Sequence, residues 1–259
     1  MIKMILCGAC GRMGKAVSDI VIENDNWREK VTIVAGIDIA PKQAAYPVYR
    51  SIDEFDGSAD VIADVIVDFS NPAGLGEMIK YATEHYIPAV IATTGLSSLD
   101  TAMLKEASLN IPVFTSGNMS LGINLLQVLV KKSAEALGLD FDIEVVEKHH
   151  NQKLDAPSGT ALMLADAASS VMKSPPAYVF DRHVTRSKRS KKEIGIHSVR
   201  GGTIVGEHSV IFAGQDEVIE ISHSALSRNI FATGALKAAV FLTDAKKGMY
   251  SMSDVIGVM

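Results

Sequence analysis

The stretch from Ile2 to Asp38 allows few folds. Ile2 to Cys7 is apolar apart from Lys3, and the run reads as a buried strand. Gly8-Ala9-Cys10-Gly11-Arg12-Met13-Gly14 follows at once. Apolar residues then recur at Met13, Ala16, Val17, Ile20 and Val21, a helical stripe. Val31 to Ile37 is a second strand and ends at Asp38. Strand, glycine turn, helix and strand with a terminal acid make a βαβ unit. The glycines permit a tight turn and let a pyrophosphate approach the backbone, with its charge facing the helix N-terminus. Asp38 is placed to accept hydrogen bonds from ribose hydroxyls. The spacing is Gly-x-x-Gly-x-x-Gly, not Gly-x-Gly-x-x-Gly, so the glycines alone are weak evidence. Strand, helix and acid together carry the reading of dinucleotide binding. The alternative is a tight turn in some other α/β protein.

The alternation continues. Val65 to Phe69 reads as a strand, and Asp68-Phe69-Ser70-Asn71-Pro72 turns into a helix through Ala82. Ala89 to Ala92 is a strand that ends in Thr93-Thr94-Gly95. Leu99 to Ala107 reads as a helix and Pro112 to Thr115 as a strand, closed by Ser116-Gly117-Asn118-Met119. Small polar residues at each strand end suit a ligand lying across the carboxyl edge of a parallel sheet.

Near Ser120 the character changes. Ser120 caps a long helix, Leu121 to Leu137. Strands are expected at Gly195 to Val199, Gly202 to Val205, Ser209 to Phe212 and Val218 to Ser222. Little helix separates them, so an antiparallel or mixed sheet is expected. The fold class is therefore α/β, with a Rossmann-type dinucleotide-binding domain (1–120 and 230–259) and an α+β substrate domain with a mixed sheet (121–229). The chain ends on an Ala-rich helix, about Phe231 to Thr243, which packs back on the first domain.

The densest chemistry lies between Glu147 and Thr160. Phe141 to Glu147 alternates, and if the strand runs on to His150, then Ile143, Val145, Glu147 and His149 share one face and His150 takes the other. The two histidines then do different jobs. Lys153 lies just past the strand end. Asp155 and Pro157 suggest a helix start, with Asp155 as cap and the proline early in the first turn. The helix continues from Ala161 to Met172. The N–H groups of Gly159 and Thr160 then point out of a helix N-terminus, a ready anion site. A proton donor, a cation and an anion-binding helix end suit a small acidic substrate that needs protonation. A metal site is the sharper rival. Adjacent strand histidines point apart, however, and no zinc-type Cys/His spacing follows.

Composition narrows the class. The 259 residues are 47% hydrophobic and 21% charged, ordinary for a globular enzyme. A net charge of −5 argues against general nucleic-acid or membrane binding. Met1-Ile2-Lys3 leads straight into the first strand with no cleavage site, and no apolar run approaches a membrane span. Cys7 and Cys10 lie within the first turn, where packing is their expected role, so the chain reads as cytoplasmic and reduced. Arg186-Ser187-Lys188-Arg189-Ser190-Lys191-Lys192 reads as a solvated loop. His197, His208 and His223 are expected to pack or hydrogen-bond structurally, though any of them can face the site.

Gly8 to Gly14, Thr93-Thr94-Gly95, Glu147 to Thr160, Arg200-Gly201-Gly202 and Val205-Gly206-Glu207-His208 together resemble the dihydrodipicolinate reductase family, in order and over nearly the whole chain. The resemblance implies reduction of 4-hydroxy-tetrahydrodipicolinate in lysine and diaminopimelate synthesis. It also implies an NADH- or NADPH-binding domain made from both chain ends, a central substrate and tetramerisation domain, a hinge between them, and no metal. It makes His149 the proton donor and Lys153 a second catalytic residue. It puts His150, Lys153, Gly159 and Thr160 on the substrate carboxylates. It brings the cofactor to Gly8, Ala9, Cys10, Gly11, Arg12, Met13, Asp38, Ala92, Thr93, Thr94, Ser116, Gly117, Asn118 and Met119. There are three departures. Ala92 stands where the family usually has glycine, Ile39 follows Asp38 where several members have a basic residue, and the loop from Arg182 to Lys192 lacks the usual glycine pattern.

The expected reaction is hydride transfer to a cyclic, conjugated imine dicarboxylate, with a proton from His149 discharging the charge that develops. Two rivals stand beside it. A dehydrogenase acting on an amino-acid semialdehyde through a thioester needs a nucleophilic cysteine, and none lies outside the first turn. A dinucleotide sensor has no need of His149 and Lys153 beside an anion-binding helix end.

Overall fold

The computed structural model describes residues 1–55, 62–183 and 186–257. The chain forms two compact units, one of residues 1–121 with 228–259 and one of 122–227. Val184 and Thr185, inside the segment expected to form the basic loop, lie outside the described residues, as do the last two residues of the expected first domain.

The first unit runs β1 (Ile2–Cys7), α1 (Arg12–Glu23), α2 (Asp25–Arg28), β2 (Val31–Ile37), β3 (Val48–Tyr49), β4 (Val65–Asp68), α3 (Leu75–Glu84), β5 (Ala89–Ile91), α4 (Ser98–Ala107) and β6 (Pro112–Thr115). Among the described residues the sheet has seven strands in the order β12-β6-β5-β4-β1-β2-β3, where β12 is Gly248–Tyr250. Its recorded pairings are all parallel. Parallel strands covered on both faces need apolar residues on both, and β1 shows it from Met4 to Cys7. Met4 and Leu6 enter one buried cluster, with Val65, Val67 and the helix α7 (Asn229–Thr243). Ile5 and Cys7 enter the other, with Ile66, Ile91 and α3. The Ala-rich α7 packs on this unit, but it does not end the chain. β12 adds an edge strand beside β6, and α8 (Met252–Ile256) follows. Strands of two or three residues, such as β3 and β12, are too short for alternation to register in sequence.

Strand order reverses between β1 and β4, where a crevice opens at the carboxyl edge. Gly8 sits there with φ +74°, and a Cβ on it would lie 2.7 Å from the Phe69 carbonyl oxygen at the end of β4. Only glycine fits both the backbone and the space.

The second unit contains α5 (Leu121–Leu137, all but its first residue), β7 (Asp142–His149), α6 (Gly159–Ser169), β8 (Ala177–Val179), β9 (Glu193–Arg200), β10 (Gly206–Ala213) and β11 (Val218–Ala225). Its five-stranded sheet has the order β11-β10-β7-β9-β8. β7 pairs antiparallel with β10 and parallel with β9, so the sheet is mixed. Ile143, Val145, Ile194, Ile196, Val210 and Phe212 pack with α5 and α6 in one core.

Three expectations are corrected here. Gly202 to Val205 is not a strand. Gly202 has φ +48°, and its carbonyl accepts from the Asn151 N–H, so the segment is a turn that ties β9 to the end of β7. The helix after the histidines does not start at Asp155. Ser158 is the cap, accepting from the Ala161 N–H at 3.1 Å, and Pro157 lies outside the helix, which ends at Ser169 rather than Met172. The basic loop is not merely solvated. Arg189 bonds the Glu144 and Asp142 carboxylates and the carbonyls of Ile143 and Glu193, and Arg182 bonds Glu144 and Glu193. No helix among the described residues is long and apolar enough to cross a membrane.

Candidate active site

Alternation along β7 buries Ile143, Val145, Glu147 and His149 and leaves Lys148 exposed. Glu147 has no solvent exposure. A buried carboxylate needs donors, and Arg200, Ser158, His149 and the Ser198 side chain supply them. The Arg200 guanidinium bonds Oε2 at 2.8 Å and Oε1 at 2.7 Å, a two-pronged contact. The Ser158 N–H donates to Oε1 at 3.1 Å, and His149 Nδ1 meets Oε2 at 2.6 Å. Burial alone would raise the Glu147 pKa. The bonds from Arg200 and then His149 outweigh it and hold the group down at about 2.

His149 is 9% exposed. Burial lowers its pKa, Glu147 offsets part of that, and the charges of Lys153 and Arg200 lower it further. The His208 ring stands edge-on to it at 5.1 Å, and His208 Nε2 meets Ser158 Oγ at 3.0 Å. Burial, then the nearby His149, push His208 down to about 4, so it is neutral near pH 7. A Cβ on Gly206 would lie 3.0 Å from His149 Nε2, so this glycine leaves the ring its room. Lys153 folds back over the loop, with Nζ 2.8 Å from Asp155 Oδ1, and this contact lowers the Asp155 pKa. Gly159 and Thr160 open α6, and a Cβ on Gly159 would meet nothing within 4 Å. His149, Lys153, Gly159 and Thr160 thus belong to one unit and to one strand–loop–helix segment. His150 follows β7 and is half-buried, and its carbonyl accepts from the Lys153 N–H.

The first unit holds the other predicted residues. A cavity of about 340 Å³ is lined by Met13, Phe69, Ser70, Ala92, Thr93, Thr94, Ser116 to Met119 and Phe231. Gly8 to Arg12 form the turn beside it, and α1 starts without a side-chain cap. Asp38 accepts from the Cys10 N–H at 2.9 Å and the Ala40 N–H at 3.0 Å. Its carboxylate therefore shapes the glycine turn as well as ending β2.

Sequence reasoning assigned no role to Glu147, Arg200, Ser158 or Asp68. Asp68 is buried at the end of β4 and accepts from Ser70 and Thr93, which shapes the cavity edge. The signal for Glu147 was present, since a glutamate on the buried face of a strand demands a cation. The signal for Arg200 was not, because parallel pairing brings His149 opposite Arg200 across a long connection.

A parallel sheet with a glycine turn at its switch point, joined in one chain to a mixed-sheet unit carrying a buried histidine, defines a two-unit oxidoreductase of the Rossmann class. Residues 2–119 match the family described as dihydrodipicolinate reductase, N-terminus, and residues 122–256 match dihydrodipicolinate reductase, C-terminus. The chain belongs to this family. A 4-hydroxy-tetrahydrodipicolinate reductase of Caldanaerobacter subterraneus subsp. tengcongensis is 50% identical, covering 99% of this chain and 98% of its own. One of Clostridium tetani is 45% identical, covering 97% and 96%. A dipicolinate-bound dihydrodipicolinate reductase from Paenisporosarcina sp. TG-14 shares the fold, with a TM-score of 0.77 at 24% identity over 99% of each chain. The chain's reaction is the reduction of 4-hydroxy-tetrahydrodipicolinate in lysine and diaminopimelate synthesis.

Proposed function

We propose that His149 is the proton donor of this reduction, and that Lys153, His150 and the Gly159–Thr160 helix end hold the substrate carboxylates. The observation that carries the reading is the grouping of a buried histidine, a lysine and a helix N-terminus with space beside Gly159 on one strand–loop–helix segment. A planar dicarboxylate loses hydration around two anions on binding, and each needs replacement donors. Lys153 brings a full charge, and the first turn of α6 brings N–H groups and a partial positive charge. Lys153 pairs with the half-exposed Asp155, so substrate exchanges one carboxylate partner for another. The dipicolinate in the related structure is of the same chemical class.

The domain roles follow from the same reading. Residues 1–120 with 230–259 bind a nicotinamide dinucleotide, and residues 121–229 bind substrate. The residues present fit such a cofactor, since Gly8 leaves the backbone bare at the switch point and α1 offers uncapped N–H groups beside the cavity. When bound, the nicotinamide supplies the hydride. Gly8 to Met13 hold the pyrophosphate, Asp38 accepts from the ribose, and Ala92 to Thr94 with Ser116 to Met119 line the nicotinamide end. An ionised carboxylate has lone pairs beyond the two used by Cys10 and Ala40. It repels a 2′-phosphate, and Ile39 offers no compensating charge, so NADH serves at least as well as NADPH. The chain assembles as a homotetramer in the cytoplasm. Assembly through the second unit is supported by apolar side chains left exposed on its sheet, Val199 and Val218 among them.

The test is cofactor oxidation with freshly synthesised 4-hydroxy-tetrahydrodipicolinate, run in parallel with NADH and NADPH. His149→Ala should lower kcat by roughly two to four powers of ten, the usual contribution of a general acid. Nucleotide affinity should be unchanged. Near wild-type turnover in that variant removes His149 from the mechanism, and an NADPH preference above about tenfold, or 1.4 kcal/mol, overturns the cofactor reading.

A further inference from the structure

We infer that Glu147, clamped by Arg200, is a positioning residue that fixes the His149 ring with Nδ1 protonated and Nε2 as the atom that exchanges the proton. The inference rests on His149 being the donor proposed above. The two carboxylate oxygens of Glu147 are fully subscribed. Oε1 takes Arg200 Nη2 and the Ser158 N–H, while Oε2 takes Arg200 Nη1 and His149 Nδ1. The carboxylate cannot rotate without breaking several of these contacts. An ionised carboxylate only accepts, so the nitrogen 2.6 Å from it must carry the hydrogen. That assigns the second, mobile proton to Nε2, the nitrogen beside Gly206, where no side chain intrudes.

Arg200 makes this arrangement durable. It keeps Glu147 ionised, so the carboxylate does not compete for the proton on its neighbour. It is itself anchored by the carbonyls of Val199 and Asp155. Every packed element contributes a charged or titratable group. Glu147 faces His149 from β7, Arg200 from β9 and His208 from β10, with His223 opposite His208 on β11. Lys153 and Asp155 lie in the loop before α6. Among these, Glu147 alone favours a protonated His149 through a direct hydrogen bond. The role resembles that of any buried acid that holds a catalytic imidazole in one tautomer.

Glu147→Gln tests it. The carboxamide places an NH₂ among donors, so the Nδ1 contact is lost or the Arg200 fork is broken. The expected result is a fall in kcat of roughly 10²-fold, at the lower end of what a general acid contributes. KM should change by less than about threefold, because uniform substrate binding is untouched. The limb of the rate profile that falls as pH rises through the His149 titration should move to lower pH. Arg200→Lys, which keeps the charge and loses the fork, should show a smaller loss of kcat with the same direction of shift. Should Glu147→Gln fail to fold, ¹⁵N-resolved imidazole spectra of the wild-type protein still decide, because neutral His149 must be the Nδ1–H tautomer. An Nε2–H tautomer overturns the inference. So does an Glu147→Gln variant with unchanged kcat and pH profile while His149→Ala remains impaired, and that pattern leaves the donor role standing. Wild-type turnover in His149→Ala removes both.

Discussion

At the scale of single residues, the site depends on what is left out as much as on what is present. Gly206 opens β10 beside the His149 ring. A methyl there would stand 3.0 Å from Nε2 and 3.4 Å from Cδ2, so the ring must shift by a few tenths of an ångström. A displacement of about 1 Å costs on the order of a hundredfold in rate, so Gly206→Ala should lower kcat by roughly tenfold. The fold should survive, because no positive φ is recorded at Gly206. Steady-state kinetics beside a thermal melt check this, and an unaltered kcat would show that the ring has slack. The alternation of β7 made His149 and its buried face legible in sequence, and with it the different setting of His150. What sequence could not show was which cation answers Glu147. Arg200 lies fifty-three positions away and arrives only through the register of β9. Nor could it show that His208 turns toward His149, since a histidine on a strand has two faces to choose from.

At the scale of elements, one hydroxyl joins a helix to the site. Ser158 Oγ accepts from the Ala161 N–H and also meets His208 Nε2, while the Ser158 backbone N–H donates to Glu147. Cap, histidine and carboxylate are thus tied at the first turn of α6, whose N–H groups are proposed to hold substrate. Ser158→Ala loses a cap, typically about 1 kcal/mol, and strands a buried imidazole nitrogen, about 1–3 kcal/mol more. The expected destabilisation is about 2–4 kcal/mol in urea unfolding, and a loss below about 1 kcal/mol would show that the hydroxyl is not shared as the geometry has it. Sequence read the existence of α6 but not its start. Asp155 and Ser158 are both competent caps, and the choice was settled by Lys153, which pairs with the Asp155 carboxylate. The long parallel core was legible because β1, β2 and β6 are mostly apolar runs, broken only by Lys3, Thr32 and Thr115, and their ends were read to within a residue. The edge strands β3, β8 and β12 were missed, since two or three residues carry no period.

At the scale of the whole molecule, the buried ionisable groups give the two units opposite responses to acid. In the first unit, burial raises the Asp68 pKa despite the bonds from Ser70 and Thr93. A raised carboxyl stabilises the fold below its ordinary pKa and loses that contribution as pH rises through the folded value. In the second unit the shifts run the other way. His208 is depressed from 6.5 to about 4, first by burial and then by His149. Its contribution is whole above pH 6.5 and is lost as pH falls to about 4, a depression worth on the order of 3 kcal/mol. His149 and His223 are depressed in the same direction, both first by burial. Glu147, held at about 2 against an ordinary 4.5, adds a second loss between those two values. Acid should therefore loosen the second unit before the first. Amide hydrogen exchange at pH 7 and pH 4.5, corrected for intrinsic rates, reads this strand by strand. β7 and β10 should lose protection while β1 and β4 keep theirs. Uniform loss, or earlier loss in β1 and β4, would overturn the assignment. His208→Gln removes the titrating ring while keeping an amide for Ser158, and it should weaken the part of the response between pH 6.5 and 4, leaving the contributions of His149 and His223 and the Glu147 loss between 4.5 and about 2.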